Sequence, residues 1–281
     1  MHRLIAFTLF VGSSCWADFS YTSVMKLGPT APGQILKQKV KGNKMRTEAG
    51  DSVTLMDFDA QTMTTLDVKK KTFKITPFSQ PIAAMEKAAM GIKAEVKETG
   101  LQKKIGSYNC RQVMMTMSMD ASLSPQDPMN MIMETEMWVS SEIPGSNELI
   151  AMSKRLAEKG MTTTANLNPQ AQRLMVDMQR QLVKIGGAPV LAVIRMRLAN
   201  EARMKQMQEQ METMRAQFEE MKKLGGAQAQ SAEKALEMLN GSRSSGGRYL
   251  MEMTTESSEF SSAPIPASEF TIPAGYTKVD R

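Results

Sequence analysis

The sequence predicts an α+β fold, in which an antiparallel sheet carries a helical hairpin inserted between two of its strands. Short segments that alternate apolar and polar residues follow one another closely, as in strands that bury one face. Near residue 200 the apolar period changes to three and four, which is typical of an amphipathic helix. Methionine supplies much of both patterns, with 28 of the 281 residues. Because its side chain is unbranched and polarizable, this composition favours an adaptable apolar surface.

The first 17 residues have the pattern of a secretory signal peptide. His2 and Arg3 form a short positive region, residues 4–11 form an apolar run, and Cys15 and Ala17 provide a small-x-small cleavage site. The apolar run is shorter than the roughly 20 residues that span a bilayer. We therefore predict cleavage after Ala17 and a periplasmic or secreted protein that is not membrane-spanning. Lipidation at Cys15 is the alternative.

The next part of the chain predicts a meander of short strands within a single domain, residues 18–281. Gly42 and Asn43 mark a tight hairpin turn, and Asp59 and Ala60 mark another. The lysine run at 69–71 marks a third turn; a solvated turn is the plain interpretation, and an anionic headgroup contact the alternative. The predicted strands cover 19–25, 34–41, 44–49, 52–58, 62–67 and 72–76.

The middle of the chain predicts three longer strands, at 93–103, 109–120 and 129–140. Odd-numbered residues in the last two are mostly apolar, so one face of this hairpin carries thioethers, whereas Trp138 should lie on the opposite face, exposed or under a loop. That face is either a filled core or the wall of a ligand cavity. The candidate cavity-wall residues are Val113, Met115, Met117, Met119, Met133, Met137 and Val139.

Three further helical segments flank these strands. Ser79 is a candidate cap for a helix at 79–90, Asn168 caps a helix at 169–183, and residues 147–159 form a third. We expect the first two to cover the thioether face of the sheet. Residues 189–198 and 247–257 are predicted to form two paired strands. The side chains expected to point inward from the covering helices are Ile82, Met85, Leu174 and Met178.

The strongest helix lies between these two strands, from about 199 to 224, and a shorter one follows at 229–240. Together they form the predicted hairpin insertion, residues 199–240. The polar side of the first helix carries five acidic and five basic residues. This balance argues against a membrane-surface helix and favours packing on another helix. A candidate partner-binding seam consists of Met204, Met207, Met211, Met214, Phe218 and Met221.

The sequence offers little for catalysis. Cleavage after Ala17 would remove the one histidine and leave Cys110 as the one thiol. That composition excludes Ser-His-Asp and Cys-His catalysis, histidine metal sites and an intrachain disulfide from the mature chain. We therefore predict no enzyme activity, no cofactor and no assigned metal site. The formal charge of +6 is spread out and there are four tyrosines, so nucleic-acid binding has little support.

Several stretches together resemble a family of secreted bacterial proteins known as a domain of unknown function. They are KGNKMR (41–46), VTLMDFDAQTMTTLDVKKKTF (53–73), ETGLQKKIGSYNCRQVMMTM (98–117), MWVSSEIPG (137–145) and SEFTIPAGY (268–276). That family is similar in pattern to the periplasmic lipoprotein-carrier (LolA/LolB-like) fold. The resemblance implies a curved half-open barrel with helices on its concave face, and a carrier of hydrophobic ligands.

Three functions therefore stand as hypotheses. The first is a non-catalytic envelope protein that binds a lipid acyl chain or a lipoprotein on its methionine-lined sheet. The second is a Cu(I)-binding protein, since thioethers select soft metals; against it, neighbouring methionines of a strand point to opposite faces. The third is a structural protein that docks on another envelope protein through residues 199–240.

Overall fold

The structure, a computed structural model, describes residues 18–29, 31–77, 93–120, 130–158, 180–181, 183–223, 225–241 and 248–279. The predicted signal peptide, the predicted helix at 79–90 and most of the one at 169–183 lie outside these residues. The four side chains expected to point inward from those two helices lie outside them as well. Within the described residues, none of the helices has the length and apolar character needed to cross a membrane.

One open sheet of 12 strands organises the described chain, with β7 and β12 at its two edges. Neighbouring strands run antiparallel, except that β12 pairs in parallel with β6. Their order in the sheet is β12-β6-β5-β4-β3-β2-β1-β11-β10-β9-β8-β7. The strands are β1 (Phe19–Leu27), β2 (Gln34–Lys41), β3 (Lys44–Ala49), β4 (Ser52–Asp57), β5 (Thr62–Asp67), β6 (Thr72–Pro77), β7 (Lys93–Ile105), β8 (Tyr108–Asp120), β9 (Asn130–Ser140), β10 (Ala188–Leu198), β11 (Met251–Ser261) and β12 (Thr277–Lys278).

Short turns set the register of the meander, as the sequence predicts. Gly42 adopts a φ of 57° between β2 and β3, a conformation that glycine reaches at little cost. Between β4 and β5 the Asp57 carboxylate accepts hydrogen bonds from the backbone N–H groups of Asp59 and Ala60, at 3.0 and 2.9 Å. Asp67 caps the next turn in the same way, accepting from the N–H of Lys70 at 2.9 Å.

The last long strand differs from its predicted bounds of 247–257. It begins at Met251 and ends at Ser261. The predicted pairing with β10 is confirmed, beginning at Met196 opposite Met251. The strand continues farther because its other edge pairs with β1, where Ser20 lies opposite Ser261. Because that partner comes from the beginning of the chain, the local pattern could not reveal where the strand ends.

Outside the sheet, the described part of the chain includes the helices α1 (Ser146–Glu158), α2 (Glu201–Lys223) and α3 (Gly226–Gly241). All three lie within a few residues of the predicted bounds. Arg155 links α1 to the β2–β3 turn. Its guanidinium donates hydrogen bonds to the carbonyl of Gly42 at 3.0 Å and to Asn43 Oδ1 at 2.8 Å. Met152, from the same helix, is buried in a core cluster that includes Phe19 and Val40. This anchoring fixes α1 across one face of the sheet.

The opposite face of the β2–β5 region is covered by the C-terminal segment. A short 3-10 helix (Ala267–Phe270) places Glu269 against Lys39 and Arg46, at 3.0 and 3.5 Å. Farther along, Ile272 and Tyr276 pack on a buried cluster formed by Val53, Leu55 and Leu66. The C-terminal segment therefore covers one face of this part of the sheet, and α1 contacts the sheet mainly at β1, β2 and β10.

A buried carboxylate ties the C-terminal segment to the start of β1. Asp18 is only 4% exposed. It accepts hydrogen bonds from Lys41 Nζ, at 2.8 and 3.1 Å, and from the backbone N–H of Ile265. Lys41 also donates to the carbonyl of Ile265 at 2.8 Å. The two ends of the described chain are thus joined through one polar cluster, which satisfies the buried groups.

We expect removal of residues 200–240 to leave a folded sheet. The helices α2 and α3 contact each other more extensively than they contact the sheet, and Lys222 pairs with Glu233 between them at 3.3 Å. The deletion should lower the helical circular-dichroism signal and keep a single cooperative unfolding transition in denaturant. Loss of that transition would instead make the two helices part of the sheet's core.

Candidate functional site, a methionine-lined sheet face

The register of β8 to β11 brings methionines from four strands into one row. Residues directly opposite each other in an antiparallel pair point to the same face of the sheet. Met117 lies opposite Met133, and Met133 in turn lies opposite Met196. Met196 lies opposite Met251 on the fourth strand. We call these four side chains the methionine row.

The surface around this row is also apolar, and we call it the methionine face. On one side of the row, Met115, Thr135, Ile194 and Met253 occupy the next line of paired positions. Thr135 is the one polar member of that line. The methionine face as defined here consists of Val113, Met115, Met117, Met133, Thr135, Met137, Val139, Ala192, Ile194, Met196, Met251 and Met253.

The side chains of this face differ in how far they are covered. Val113 is fully buried and Met117 is 2% exposed. The rest of the methionine row and most of its neighbours are half-buried, so part of each side chain reaches solvent. The half-buried methionines of this face are Met115, Met133, Met137, Met196, Met251 and Met253.

The structure places the predicted cavity-wall residues on one face, as their odd-numbered parity indicates. Val113 lies opposite Met137, Met117 opposite Met133, and Arg111 opposite Val139. Met119 occupies a position of the same face, opposite Met131, although its side chain lies outside the described part of the structure. The register does not by itself establish that these residues hold a ligand. Their role as a cavity wall stays a prediction.

Trp138 lies on the opposite face, as predicted, and of the two expected environments, exposed or under a loop, the exposed one is excluded. It pairs with Gln112 and is only 6% exposed. The Lys103 ammonium lies 3.9 Å from the centroid of the indole ring, and Nε1 of the indole donates to Glu136 at 2.8 Å. The indole belongs to the buried core cluster that includes Phe19 and Met152, and the Lys103 ammonium lies over its ring as a cation–π contact.

An apolar cavity of about 180 Å³ lies between α1 and one end of the methionine face. Met137 and Val139 form its floor, and Leu149 and Ile150 of α1 form part of its roof. The remaining wall comes from residues before β10 and at its start, including Val183, Ile185 and Pro189. Two of the predicted cavity-wall residues thus line an actual cavity, and the sequence did not indicate that α1 would cover it.

A network of charged and polar side chains occupies the opposite face of the same strands. Arg195 donates to Glu252 at 2.9 Å on one side and to Glu136 at 3.0 Å on the other. Arg197 donates to Glu134 at 3.0 Å. Since all of these groups are at least partly buried and mutually paired, the network fixes the lateral positions of β9, β10 and β11. That register is the one that aligns the methionine row.

Glu136 is the centre of this polar network. Besides Arg195, the side chains of Trp138 and Gln112 donate to it, at 2.8 and 3.0 Å. Burial raises the pKa of Glu136, but the hydrogen bonds and positive charge of Arg195, with those of the two neutral donors, outweigh burial. The net effect holds the pKa of Glu136 below its ordinary value.

Thr135 carries an unpartnered polar atom on the methionine face. The residue is 4% exposed, and its Oγ1 makes no hydrogen bond. Its direct neighbours across the sheet are Met115 and Ile194, and neither side chain makes a hydrogen bond with it. A buried hydroxyl without a partner costs about 1–3 kcal/mol, so this position has a specific role or a missing partner.

The predicted partner-binding seam runs along α2. Met204 is buried, while Met214 is 43% exposed. The other four seam residues, Met207, Met211, Phe218 and Met221, are half-buried. The helix α3 packs beside α2 and contributes the buried Ala232 and Leu236. Much of the cover that the seam needs can therefore come from the chain itself.

Two larger clefts, of about 710 and 570 Å³, are lined by charges of both signs. In the first, Lys69 pairs with Asp51, and Lys70 pairs with Asp67 at 3.1 Å. The paired lysines favour a solvated turn over an anionic headgroup contact at this position. In the second, Arg197 is paired with Glu134 at 3.0 Å. Neither cleft matches the apolar ligand that the sequence suggests.

Two features of the described residues concern metal binding and nucleophilic catalysis. They contain no group of three or more His, Cys, Asp or Glu side chains placed to hold a metal ion. Cys110 is buried, and burial raises the pKa of its thiol above the ordinary value. A thiol in that state is a poor nucleophile at neutral pH, and Cys110 packs as a small apolar residue of its strand.

The sequence prediction missed Met196, Met251 and Met253. Both of their strands alternate methionine with charge, in RMR (195–197) and MEM (251–253). Once these strands are paired with each other and with β9, parity alone sends the methionines to one face and the charges to the other. The alternation was therefore a usable signal, and the missing information was which strand lies beside β9.

No protein-family model matches the chain, and no curated protein matches it. Among solved structures, the structure of PNGF-II in the C2 space group is similar to the chain, with 9% sequence identity and a TM-score of 0.34. The match covers 94% of this chain and 31% of PNGF-II, so the chain spans about a third of that protein. A likeness at this TM-score carries no argument about fold or function.

Replacing Glu136 by Gln should destabilise the protein in a pH-dependent manner. Because the folded-state pKa of Glu136 is lowered, its carboxylate stabilises the fold above the unfolded pKa of about 4.3 and loses this effect as the pH falls through the folded value. We expect a loss of about 1.5–3 kcal/mol in the free energy of unfolding at neutral pH, shrinking in acid. Urea titrations at several pH values measure this difference.

The control for this variant is Glu256→Gln, an exposed glutamate on β11 that points to the same polar face. We expect its effect to be small at every pH. A Glu136→Gln difference that stays constant between neutral pH and strongly acidic pH would contradict the assignment of a lowered pKa.

Proposed function

We propose that this protein is a non-catalytic binding protein that holds an apolar ligand, the acyl chain of a lipid or lipoprotein, against the methionine face. One observation carries the proposal: strands β8 to β11 present half-buried methionines on one face, next to an apolar cavity under α1, while their other face carries paired charges. A sheet that only filled a core would leave no such partly exposed apolar surface.

The energetics of this face suit an alkyl chain. Burial contributes roughly 0.8 kcal/mol per methylene, so a chain lying across several strands binds without polar contacts. A dry apolar cavity of about 150 Å³ can hold a benzene-sized group. The cavity of about 180 Å³ beneath α1 is therefore large enough for the end of a chain. Thioether side chains would adjust to chains of different shape.

Thr135 supplies a polar contact within this surface. Its unpartnered hydroxyl lies between Met115 and Ile194, two residues along β9 from Met133 and from Met137. A carbonyl, ester or hydroxyl group on the ligand would satisfy the hydroxyl at this point. The ligand that fits best is thus an acyl chain whose polar end comes close to Thr135, rather than a pure hydrocarbon.

The architecture that we propose with this function is a curved, LolA-like half-open barrel with α1 on its concave side. The rings of Tyr108 on β8 and Phe260 on β11 lie 5.5 Å apart, although two strands separate β8 from β11 in the sheet. In a flat sheet those strands would be about 14 Å apart, so this contact supports bending at that end. The bend is toward the face of β8 that carries Tyr108, the face opposite the methionine row, and Met152 of α1 belongs to the same cluster as Tyr108 and Phe260. The predicted signal peptide would place such a carrier in the periplasm or outside the cell.

Introducing a charge on the methionine face should abolish acyl-chain binding. We expect Met137→Glu to weaken binding of a fluorescent fatty acid at least tenfold, since the new carboxylate would have to be buried beside the chain. The matched control is Ser118→Glu, on the opposite face of β8, where Ile132 and Lys93 lie across from it and no carboxylate does. For the unchanged protein, affinity should rise about fourfold per added methylene in a fatty-acid series, until the face is filled.

Equal weakening by both charged variants, or an affinity that does not depend on chain length, would contradict binding on this face. Native mass spectrometry of the protein purified under mild conditions gives a second measurement. We expect bound lipid in the unchanged protein and its loss in Met137→Glu.

The Thr135→Val variant tests the polar contact separately. Because the substitution removes a buried hydroxyl without a partner, we expect the ligand-free protein to become more stable by about 1 kcal/mol or to stay unchanged. Affinity for a fatty acid or monoacylglycerol should fall, while affinity for an alkane of equal length should not. A parallel loss for both ligand types, measured by isothermal titration calorimetry, would remove Thr135 from the site.

A further inference from the structure

We infer that the methionine row is a site for a soft monovalent metal ion, Cu(I), held by thioether sulfurs from neighbouring strands. This site is separate from the acyl-chain function and does not depend on it. Along a single strand, neighbouring methionines alternate between faces, which is why the sequence alone argues against a metal site. Across strands, the register removes that objection.

The register places the thioethers at the spacing that a shared ion needs. Directly opposite residues in an antiparallel pair have Cβ atoms about 4.5–5.5 Å apart. Met133 and Met196 are such a pair and occupy the two central positions of the row. Met117 and Met251 flank them at the same spacing, opposite Met133 and Met196 respectively. Flexible side chains at this spacing can bring three sulfurs to one point above β9 or β10.

The burial of the row agrees with an ion site that has a closed and an open side. Met117 is 2% exposed and shields one end from water, whereas Met133, Met196 and Met251 are half-buried and leave an approach from solvent. The nearest charged groups of these strands, Arg195 and Glu134, lie on the opposite face and are already paired there. Within the described residues, the ligands that the row itself offers are thioether sulfurs, and sulfur ligands select Cu(I) over hard cations.

A similar row elsewhere in the sheet serves as an internal comparison. Met45 lies opposite Met56, and Met56 lies opposite Met63. However, Met45 and Met56 pack against the buried core cluster beneath α1, so packing already accounts for them. Partial exposure does not distinguish the two rows, since Met133, Met196 and Met251 are half-buried just as Met45, Met56 and Met63 are. The row in β8 to β11 differs because, among the described residues, none of its members belongs to or packs against either core cluster.

Anaerobic titration with Cu(I) in the presence of a competing chelator tests this site. We expect the unchanged protein to bind one Cu(I) ion per chain at the row. The double variant Met133→Leu/Met196→Leu should weaken that binding at least tenfold. Leucine for methionine conserves volume, so the variant should stay folded. The count-matched control, Met114→Leu/Met214→Leu, removes methionines from the opposite face and from α2 and should bind Cu(I) as the unchanged protein does.

The pH dependence of the Cu(I) affinity distinguishes a thioether site from a site built on titratable ligands. Thioethers do not titrate, so the affinity should be the same between about pH 5 and 8, whereas sites built on His, Cys or carboxylates weaken as protons compete. Fatty-acid binding by the unchanged, copper-free protein is measured separately, so a failure of the proposed function and a failure of this inference are distinct results. Unchanged Cu(I) affinity in the Met133→Leu/Met196→Leu variant, or an affinity that falls steeply in acid, would overturn the site.

Discussion

The pairing register of β8, β9, β10 and β11 is the constraint on which the rest of this structure depends. Each strand alternates apolar and polar side chains, so a slip of one residue in any pair would turn methionines outward and charges inward. The hydrogen bonds of Arg195 to Glu136 and Glu252, and of Arg197 to Glu134, hold the observed register from the polar face. The polar network and the apolar face are thus two consequences of one alignment.

The two faces of these strands have different roles. The polar face fixes the positions of the strands, because paired and partly buried charges lose much of their stabilisation when their partners shift. The methionine face would contact the ligand, because thioether side chains adapt to the shape of what they cover. The acyl-chain site and the Cu(I) site proposed above use the same face but different properties of it, apolar area in one case and sulfur lone pairs in the other.

How far the sequence alone predicted the structure depended on how local each signal was. The turns at Gly42, Asp57 and Asp67 are set by nearby residues, and the strands around them have the predicted bounds within one residue. In contrast, the end of β11 depends on β1, which lies more than 200 residues earlier in the chain. The parallel pairing of β12 with β6 and the cover of α1 over Met137 and Val139 also come from distant segments.

The candidate site likewise combines features that the sequence predicted with features that depend on distant segments. Parity predicted that Val113, Met117, Met133 and Met137 share a face, and the register agrees. It could not reveal the alignment of Met196 and Met251 with them, because that requires knowing the order of strands in the sheet. Nor could it reveal that Lys103 lies over Trp138, or that the hydroxyl of Thr135 stays without a partner, since both depend on packing between strands.

An acyl chain bound on the methionine face would bring its label close to the methionine methyl groups there. Methyl NMR of protein carrying ¹³C-methyl methionine, with a nitroxide-labelled fatty acid as the ligand, measures that proximity. We expect the Met133, Met137, Met196 and Met253 signals to broaden more strongly than those of Met114, on the opposite face of β8, and of Met214, on α2. Broadening centred on Met114 or Met214, or no selective broadening while the fatty acid is bound, would contradict binding on the methionine face.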